Sequence, residues 1–310
     1  MKQFKLLLVA CLVFTLVACA GGNVATNNVT PTESKIAEST EAKEQNTKVN
    51  YPRVDGSTAN IPMMAQIRSS YLGEDLVESQ NNSLEVTTTD YAWRNLIDGK
   101  NDLLLVYEPS EETKKIIDES PVKLKVTPIG VDALVFIVNQ KNKVKNLTTE
   151  QIRDIYSGKI TNWKELGGDD AVIEAYQRVL NSGSQTLFLN LVMKDVKPVD
   201  APIKYRIEGM DGLIETLASY NNTGNALGYS VFYYAKKMYA VPGLELISVD
   251  GIMPSDETIG NAEYPFLNEY YLVIREDTPE DSETMKLYNY ILSDKGREDI
   301  KKAGYIPIKR

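Results

Sequence analysis

Residues 132–139 read DALVFIVN, a stretch in which six consecutive apolar side chains follow Asp132. An apolar run that does not alternate with polar residues predicts a strand buried on both faces. Residues 103–106 (LLLV) and 270–274 (YYLVI) have the same character. We therefore expect these three segments to be strands of the folded core.

Segments with helical periodicity lie between and around these strands. Thr148 stands three residues before Gln151, a spacing that caps a helix beginning at Thr149. Strands alternating with helices predict an α/β fold, and 310 residues are enough for two domains. We therefore expect two α/β lobes with a cleft between them. The predicted helices are 61–72, 91–97, 149–156, 185–192, 210–220 and 284–292.

Composition excludes several classes of function. The chain carries 43 acidic and 34 basic residues, a net charge of −9, and this argues against a nucleic-acid partner. It contains no histidine, which excludes Ser-His-Asp triads, HExxH zinc sites and histidine-ligated haem. The two cysteines are Cys11 and Cys19, so no disulfide framework is available. We expect no metal, no cofactor and no catalytic residue.

The N-terminus has the pattern of a targeting segment. Residues 1–18 combine two lysines with an apolar run of 13 residues, too short to span a membrane, and predict a signal peptide. The Leu16–Cys19 segment resembles a bacterial lipobox, which implies cleavage before Cys19, diacylglycerol on its sulfur and a lipid anchor that includes palmitate. The alternative is an unlipidated signal peptide with a cysteine there by chance. Residues 19–50 lack hydrophobic periodicity and predict a disordered tether.

Three segments place small hydroxyl residues directly before predicted helices. They are the first loop, 55–62 (DGSTANIP), the second loop, 87–90 (TTTD), and the third loop, 178–186 (RVLNSGSQT). Backbone N–H groups at a helix N-terminus, together with hydroxyls, can bind an anion. Gly56 would let the backbone approach a ligand, and Arg178 adds a planar fork suited to an oxyanion. The same residues are also ordinary helix caps, so this pattern alone leaves both interpretations open.

Longer motifs connect the chain to a known family. They are 56–62 (GSTANIP), 147–168 (LTTEQIRDIYSGKITNWKELGG), Arg178 with 182–184 (SGS), 226–229 (ALGY) and 304–307 (GYIP). Through them, residues 51–310 resemble the phosphate-binding proteins of bacterial ABC phosphate importers, which have the type II periplasmic-binding-protein fold. The resemblance implies lobe I at 51–132 and 235–310 and lobe II at 133–234. The chain would cross between lobes near Val131–Ala133 and return near Tyr229–Tyr234.

The resemblance also implies a set of phosphate-binding residues. In the first loop Thr58 would offer its hydroxyl and Ala59 its N–H, and either Thr88 or Thr89 would take the role of a family serine. Arg178 would pair with the anion, and the residues after it would donate hydroxyl and N–H groups. The implied set is Ser57, Thr58, Ala59, Thr88, Thr89, Glu108, Arg178, Ser182, Gly183 and Ser184.

One departure from the family concerns selectivity. The family uses an aspartate to accept the remaining proton of phosphate, but residues 105–109 read LVYEP here. Tyr107 falls in register with that aspartate, and Glu108 follows it. Either could be the acceptor, and Glu108 could equally be a solvated loop carboxylate. Another tetrahedral oxyanion therefore remains an alternative ligand.

The implied function is a monomeric, lipid-anchored receptor on the extracytoplasmic face of the cell membrane. It would capture inorganic phosphate and deliver it to an ABC permease and its ATPase. One alternative is a phosphate-sensing lipoprotein without transport, and another is a phosphatase, for which no paired-carboxylate motif stands out. The tyrosines at 233–234 and 270–271 could suggest sugar stacking, but core and hinge packing explains them better.

Overall fold

The computed structural model describes residues 50–83, 86–180, 182–207, 209–218 and 224–308. The predicted signal peptide, Cys19 and the tether up to residue 49 lie outside these residues. Among the residues described, no helix is both long and apolar enough to cross a membrane.

The described chain alternates between strands and helices. The strands are β1 (Val54–Gly56), β2 (Leu103–Tyr107), β3 (Leu124–Asn139), β4 (Asn146–Leu147), β5 (Glu174–Ala175), β6 (Gln177–Arg178), β7 (Arg206–Ile207), β8 (Ala226–Val231), β9 (Leu244–Leu246), β10 (Ser248–Val249), β11 (Leu267–Arg275) and β12 (Ile306–Pro307). The helices are α1 (Ile61–Leu72), α2 (Leu76–Asn81), α3 (Thr89–Ile97), α4 (Glu111–Glu119), α5 (Thr149–Tyr156), α6 (Gly183–Leu187), α7 (Met210–Ala218), α8 (Asp256–Gly260), α9 (Glu283–Leu292) and α10 (Asp294–Lys302).

The main sheet is mixed, with strand order β1-β2-β11-β3-β8-β5. β1 and β2 are parallel, whereas β11 runs antiparallel to both β2 and β3. β9 and β12 also pair with β3. Two small sheets, β4 with β10 and β6 with β7, complete the described strand pairs.

β3 joins two groups of strands. Its first part pairs with β11 as far as Ala133, and from Leu134 onward it pairs with β8. The residues from Ala133 to Val138 are all buried, which confirms the strand predicted from the apolar run. The part before residue 132 was not predicted, because it is mostly only partly buried and its sequence is interrupted by Pro128 and Gly130.

Two of the predicted helices agree with the structure at both ends. α1 and α5 have the predicted bounds, and the Thr148–Gln151 capping box is present. The helix predicted at 185–192 begins two residues earlier as α6 and continues as a π-helix over Phe188–Met193. α10 was not predicted, since its polar sequence buries few apolar side chains.

Candidate functional site

A cleft of about 600 Å³ brings the three loops together. Nine of the ten residues predicted for the site contribute to its wall, and Glu108 does not. The described lining residues are Ser57, Thr58, Ala59, Thr88, Thr89, Tyr91, Tyr107, Arg178, Val179, Ser182, Gly183, Ser184, Gly209, Val231 and Tyr234.

The first loop is held by the neighbouring strand β2. A Cβ atom at Gly56 would lie 1.8 Å from the carbonyl oxygen of Leu105, so this glycine permits close approach of two strands. The expectation that Gly56 lets the backbone approach a ligand is therefore corrected. Ser57 donates its N–H to the Leu105 carbonyl at 3.2 Å, and its Oγ accepts the Tyr107 N–H at 3.1 Å. These bonds hold Ser57 in place and so position Thr58 and Ala59, which follow it in the chain.

The second loop begins α3 and is tied to the first. Thr89 is 4% exposed, and its Oγ1 lies 2.8 Å from Ser57 Oγ in a hydrogen bond. Thr88 has φ of +76°, which is rare for a β-branched residue and costs conformational energy. The Asp55 carboxylate accepts the N–H of Thr87 at 2.9 Å and holds the loop from behind.

The third loop orients the one cationic side chain among the described lining residues. Arg178 is 6% exposed, and its Nε donates to the Ile207 carbonyl at 3.0 Å. Its Nη1 lies 3.4 Å from Ser184 Oγ. The Arg178 backbone N–H donates to Gln185 Oε1 at 2.9 Å. Contacts within the protein therefore hold the guanidinium group in its orientation.

The second and third loops meet directly. A Cβ atom at Gly183 would lie 2.7 Å from Thr89 Oγ1, so only a glycine fits there without a shift. Ser182 Oγ accepts the Gln185 N–H at 3.3 Å and caps α6. Because a hydroxyl both accepts and donates, Ser182 can cap the helix and still donate to an anion. The capping and anion-binding interpretations are therefore compatible.

Tyr107 and Glu108 lie in different surroundings. Tyr107 ends β2 and contributes to the cleft wall, while Glu108 forms an ion pair with Lys114 in which both side chains are about one third exposed. Successive residues of an extended chain point to opposite sides, so both side chains could not enter the cleft. The structure thus does not support Glu108 as a ligand contact.

A buried carboxylate that sequence reasoning did not single out lies behind Tyr107. Asp132 is 3% exposed, and its Oδ2 accepts the Tyr107 hydroxyl at 2.8 Å. Its Oδ1 accepts the N–H groups of Ala133 at 2.7 Å and Tyr233 at 3.2 Å. Burial raises the pKa of Asp132 to about 6, against these bonds, which lower it. The sequence feature that could have singled out Asp132 is its position as a charged residue at the start of an apolar run.

The paired tyrosines are packing residues. Tyr270 is fully buried and Tyr233 is 7% exposed, and the Tyr233 ring stacks on Tyr305 with ring centroids 3.6 Å apart. Tyr234 contributes to the cleft wall but is only 4% exposed. These rings offer no open aromatic face for a sugar. Within the described residues, no group of acidic side chains is placed to hold a metal ion.

Comparison with known proteins identifies the family. Residues 34–295 match the model of the PBP superfamily domain. The chain belongs to this superfamily. One relative, the phosphate-binding protein PstS of Borreliella burgdorferi, is 28% identical over 64% of this chain and 70% of its own length. The Bacillus subtilis phosphate-binding protein PstS is 24% identical over 99% of this chain and 95% of its own length. The resemblance found in the motifs is confirmed.

Solved structures give the same fold. A putative phosphate ABC transporter substrate-binding protein from Clostridium perfringens, with bound phosphate, is 27% identical. It aligns with a TM-score of 0.64 over 84% of this PBP superfamily chain and 100% of its own. An ABC-type phosphate transport receptor from Vibrio cholerae, 23% identical, gives 0.61 over 82% and 98%. The chain therefore has the two-lobed α/β fold of type II periplasmic-binding proteins.

Proposed function

We propose that the protein captures inorganic phosphate in the cleft and delivers it to an ABC permease driven by its ATPase. The observation that carries this proposal is the convergence of Arg178 with the hydroxyl-bearing loops in one cleft. The names and bound phosphate of the relatives support the choice of ligand. Binding and release need no catalytic group, and the proposal is therefore a receptor, not an enzyme.

The binding groups come from two parts of the chain. We assign lobe I to residues 51–132 and 235–310, and lobe II to 133–234, with β3 and the segment after β8 as the connections. Lobe I then contributes the first and second loops, and lobe II contributes the third. A buried dianion is costly unless every oxygen has a partner. Ligand contacts from both lobes would favour a closing hinge motion that completes these partners.

The geometry supports particular donors for the ligand. Arg178 supplies the positive charge, and the N–H groups of Gly183 and Ser184 lie at the beginning of α6. In the second loop we assign the ligand hydroxyl to Thr89, because it is buried and bonded to Ser57, whereas Thr88 is exposed and strained. Thr58 and Ala59 complete the set.

Calorimetric titration of the purified full-length protein with phosphate, arsenate, sulfate and molybdate tests the proposal. Phosphate and arsenate, which carry a proton near neutral pH, should bind, and sulfate and molybdate should bind much more weakly. Tight sulfate or molybdate binding would favour the alternative oxyanion receptor. No binding of phosphate would overturn the proposal. Turnover of a chromogenic phosphate ester would favour a phosphatase instead.

We further propose that the mature protein is held on the extracytoplasmic face of the membrane through lipidated Cys19 and acts as a monomer. The lipobox-like sequence before Cys19 and the polar segment after it support this arrangement. A diacyl anchor binds firmly because each buried CH₂ contributes about 0.8 kcal/mol. Labelled palmitate should be incorporated into wild type and not into Cys19→Ser, while phosphate binding is retained. Absence of label in wild type would contradict the anchor.

A further inference from the structure

We propose that Asp132 is a positioning residue that fixes the Tyr107 hydroxyl as a hydrogen-bond acceptor toward the cleft. The site then takes a tetrahedral oxyanion that carries a proton and rejects one that carries none. This inference rests on the proposed function and adds the group that gives the phosphate site its selectivity. It also assigns a role to a buried carboxylate that does not itself line the cleft.

The positions of the protons follow from the contacts. An ionised carboxylate only accepts hydrogen bonds, and a phenol has a single proton to donate. Burial, followed by the charge of Asp132, holds the pKa of Tyr107 well above its ordinary value, so the shared proton stays on the tyrosine. The Tyr107 hydroxyl therefore donates to Asp132 Oδ2 over 2.8 Å. Its oxygen has only lone pairs left for a ligand.

Phosphate and sulfate respond differently to such an oxygen. Hydrogen phosphate can donate its P–OH proton to the Tyr107 oxygen. Sulfate has no proton near neutral pH, and it would place a negatively charged oxygen against a lone pair. Discrimination by an unpaired polar contact is strong because the wrong ligand leaves buried groups without partners. Tyr107, backed by Asp132, can thus do the work of the aspartate that the family has in this segment.

The environment of Asp132 makes an amide substitution informative. Oδ1 accepts the shorter backbone hydrogen bonds, from the N–H groups of Ala133 at 2.7 Å and Tyr233 at 3.2 Å, while the Tyr233 N–H lies 3.4 Å from Oδ2. In Asp132→Asn these donors hold the amide oxygen at that position, so the amide nitrogen faces Tyr107. The amide N–H then donates to the Tyr107 oxygen, and the tyrosine hydroxyl turns from acceptor to donor. The shape of the site changes little, but its preference for a protonated ligand is reversed.

Protonation of Asp132 has the same effect as the amide. Below a pH of about 6, the carboxylic acid donates to Tyr107 and releases the tyrosine hydroxyl to donate into the cleft. Sulfate is the probe of choice because it does not titrate in this range. The phenols near Asp132 have raised pKa values and stay neutral between pH 5 and 8, and the charge of Lys237 lowers the Asp132 pKa. The phenols are Tyr107, Tyr233, Tyr270 and Tyr305.

The test compares phosphate and sulfate affinities of the full-length protein with those of Asp132→Asn at pH 7.5. Asp299→Asn is the matched control, because Asp299 is a buried carboxylate that accepts a tyrosine hydroxyl from Tyr290 at 2.6 Å, outside the cleft. We expect the phosphate-to-sulfate affinity ratio to fall by at least about tenfold in Asp132→Asn, since a hydrogen bond to a charged group is gained for sulfate and lost for phosphate. Asp299→Asn should keep the wild-type ratio.

A second measurement follows sulfate binding with pH in the wild type and in Asp132→Asn. Its sulfate affinity should rise by roughly tenfold between pH 7.5 and pH 5, whereas sulfate binding to Asp132→Asn should be nearly constant over this range. Equal losses for both anions in Asp132→Asn, with a pH-independent wild type, would show a purely structural role and overturn the inference. If wild type binds no phosphate, the proposed function fails and this inference fails with it. If it binds phosphate and the ratio is unchanged in Asp132→Asn, only the inference fails.

Discussion

The two walls of the cleft differ in the charge that stands behind them. The arginine wall, residues 178–179 and 182–184, contains Arg178 as the one cationic side chain among the described lining residues. The tyrosine wall, formed by residues 57–59, 88–89 and 107, has only neutral groups at its surface and the buried carboxylate of Asp132 behind it. On the proposed function, one wall would attract any oxyanion, and the other would distinguish between oxyanions.

The difference implies that the arginine wall contributes mainly to affinity and the tyrosine wall mainly to selectivity. A positive charge with a planar fork stabilises phosphate and sulfate alike. A fixed acceptor discriminates by the presence of a proton, and it contributes less to the total free energy of binding. Substitutions in the arginine wall should lower both affinities, and substitutions behind the tyrosine wall should change their ratio.

The largest effect is expected from Arg178→Ala. Truncating one member of a buried charge pair typically costs about 2–5 kcal/mol, so phosphate binding should weaken roughly 30-fold to several thousand-fold. Arg178→Lys should recover only part of the loss, because an ammonium group lacks the bidentate fork. Calorimetric titration with phosphate and sulfate measures both affinities.

Arg206→Ala is the control for this substitution. Arg206 lies on β7, beside the strand that carries Arg178, but its side chain is 46% exposed and does not line the cleft. Phosphate binding should be unchanged in this variant. A folded Arg178→Ala protein that binds phosphate within about threefold of wild type would contradict the assignment of the charge to this wall.

A smaller effect concerns the stability of the protein with pH. The pKa of Asp132 is raised from 3.8 to about 6 in the folded state, so its favourable contribution is lost as pH rises through that value. The amide in Asp132→Asn does not ionise, so the variant does not lose this contribution to stability as pH rises. From pH 4 to pH 7, the free energy of unfolding of the variant should therefore gain about 2 kcal/mol relative to wild type. Urea unfolding of both proteins at the two pH values measures it, and a constant difference would contradict the buried, titrating carboxylate.

The smallest effect is expected from Glu108→Gln. The Glu108 carboxylate pairs with Lys114 at a partly exposed position and does not line the cleft. Because Glu108 does not line the cleft, binding of phosphate and sulfate should stay near wild type. Loss of such an ion pair should change stability by only about 0–1 kcal/mol. A rise in sulfate affinity in this variant would show that Glu108 discriminates between the anions. It would contradict the assignment of selectivity to the tyrosine wall.

The sequence was sufficient for much of the fold and for most of the residues brought together in the cleft. Helix-period segments predicted α1 and α5, and a continuous apolar run predicted the buried part of β3. Hydroxyl residues before helices marked the loops that line the cleft. The resemblance to a family was needed to bring the three loops to one place, since local patterns carry no information on which loops meet.

The sequence could not choose between Tyr107 and Glu108. The choice depends on where β2 ends and which side its last residue faces, and both follow from pairing with β11. Asp132 was overlooked for a related reason. Its partner Tyr107 is 25 residues away and meets it only through the tertiary fold, so the local sequence shows an isolated charge.

The most direct test of the account is a crystal structure of the full-length protein with phosphate at pH 7.5. We predict one phosphate ion in the cleft that contacts both walls. Its oxygens should accept from the Arg178 guanidinium, and an oxygen of the ion should lie about 2.5–2.8 Å from the Tyr107 hydroxyl oxygen. A phosphate ion held by one wall alone, or bound outside the cleft, would contradict the account.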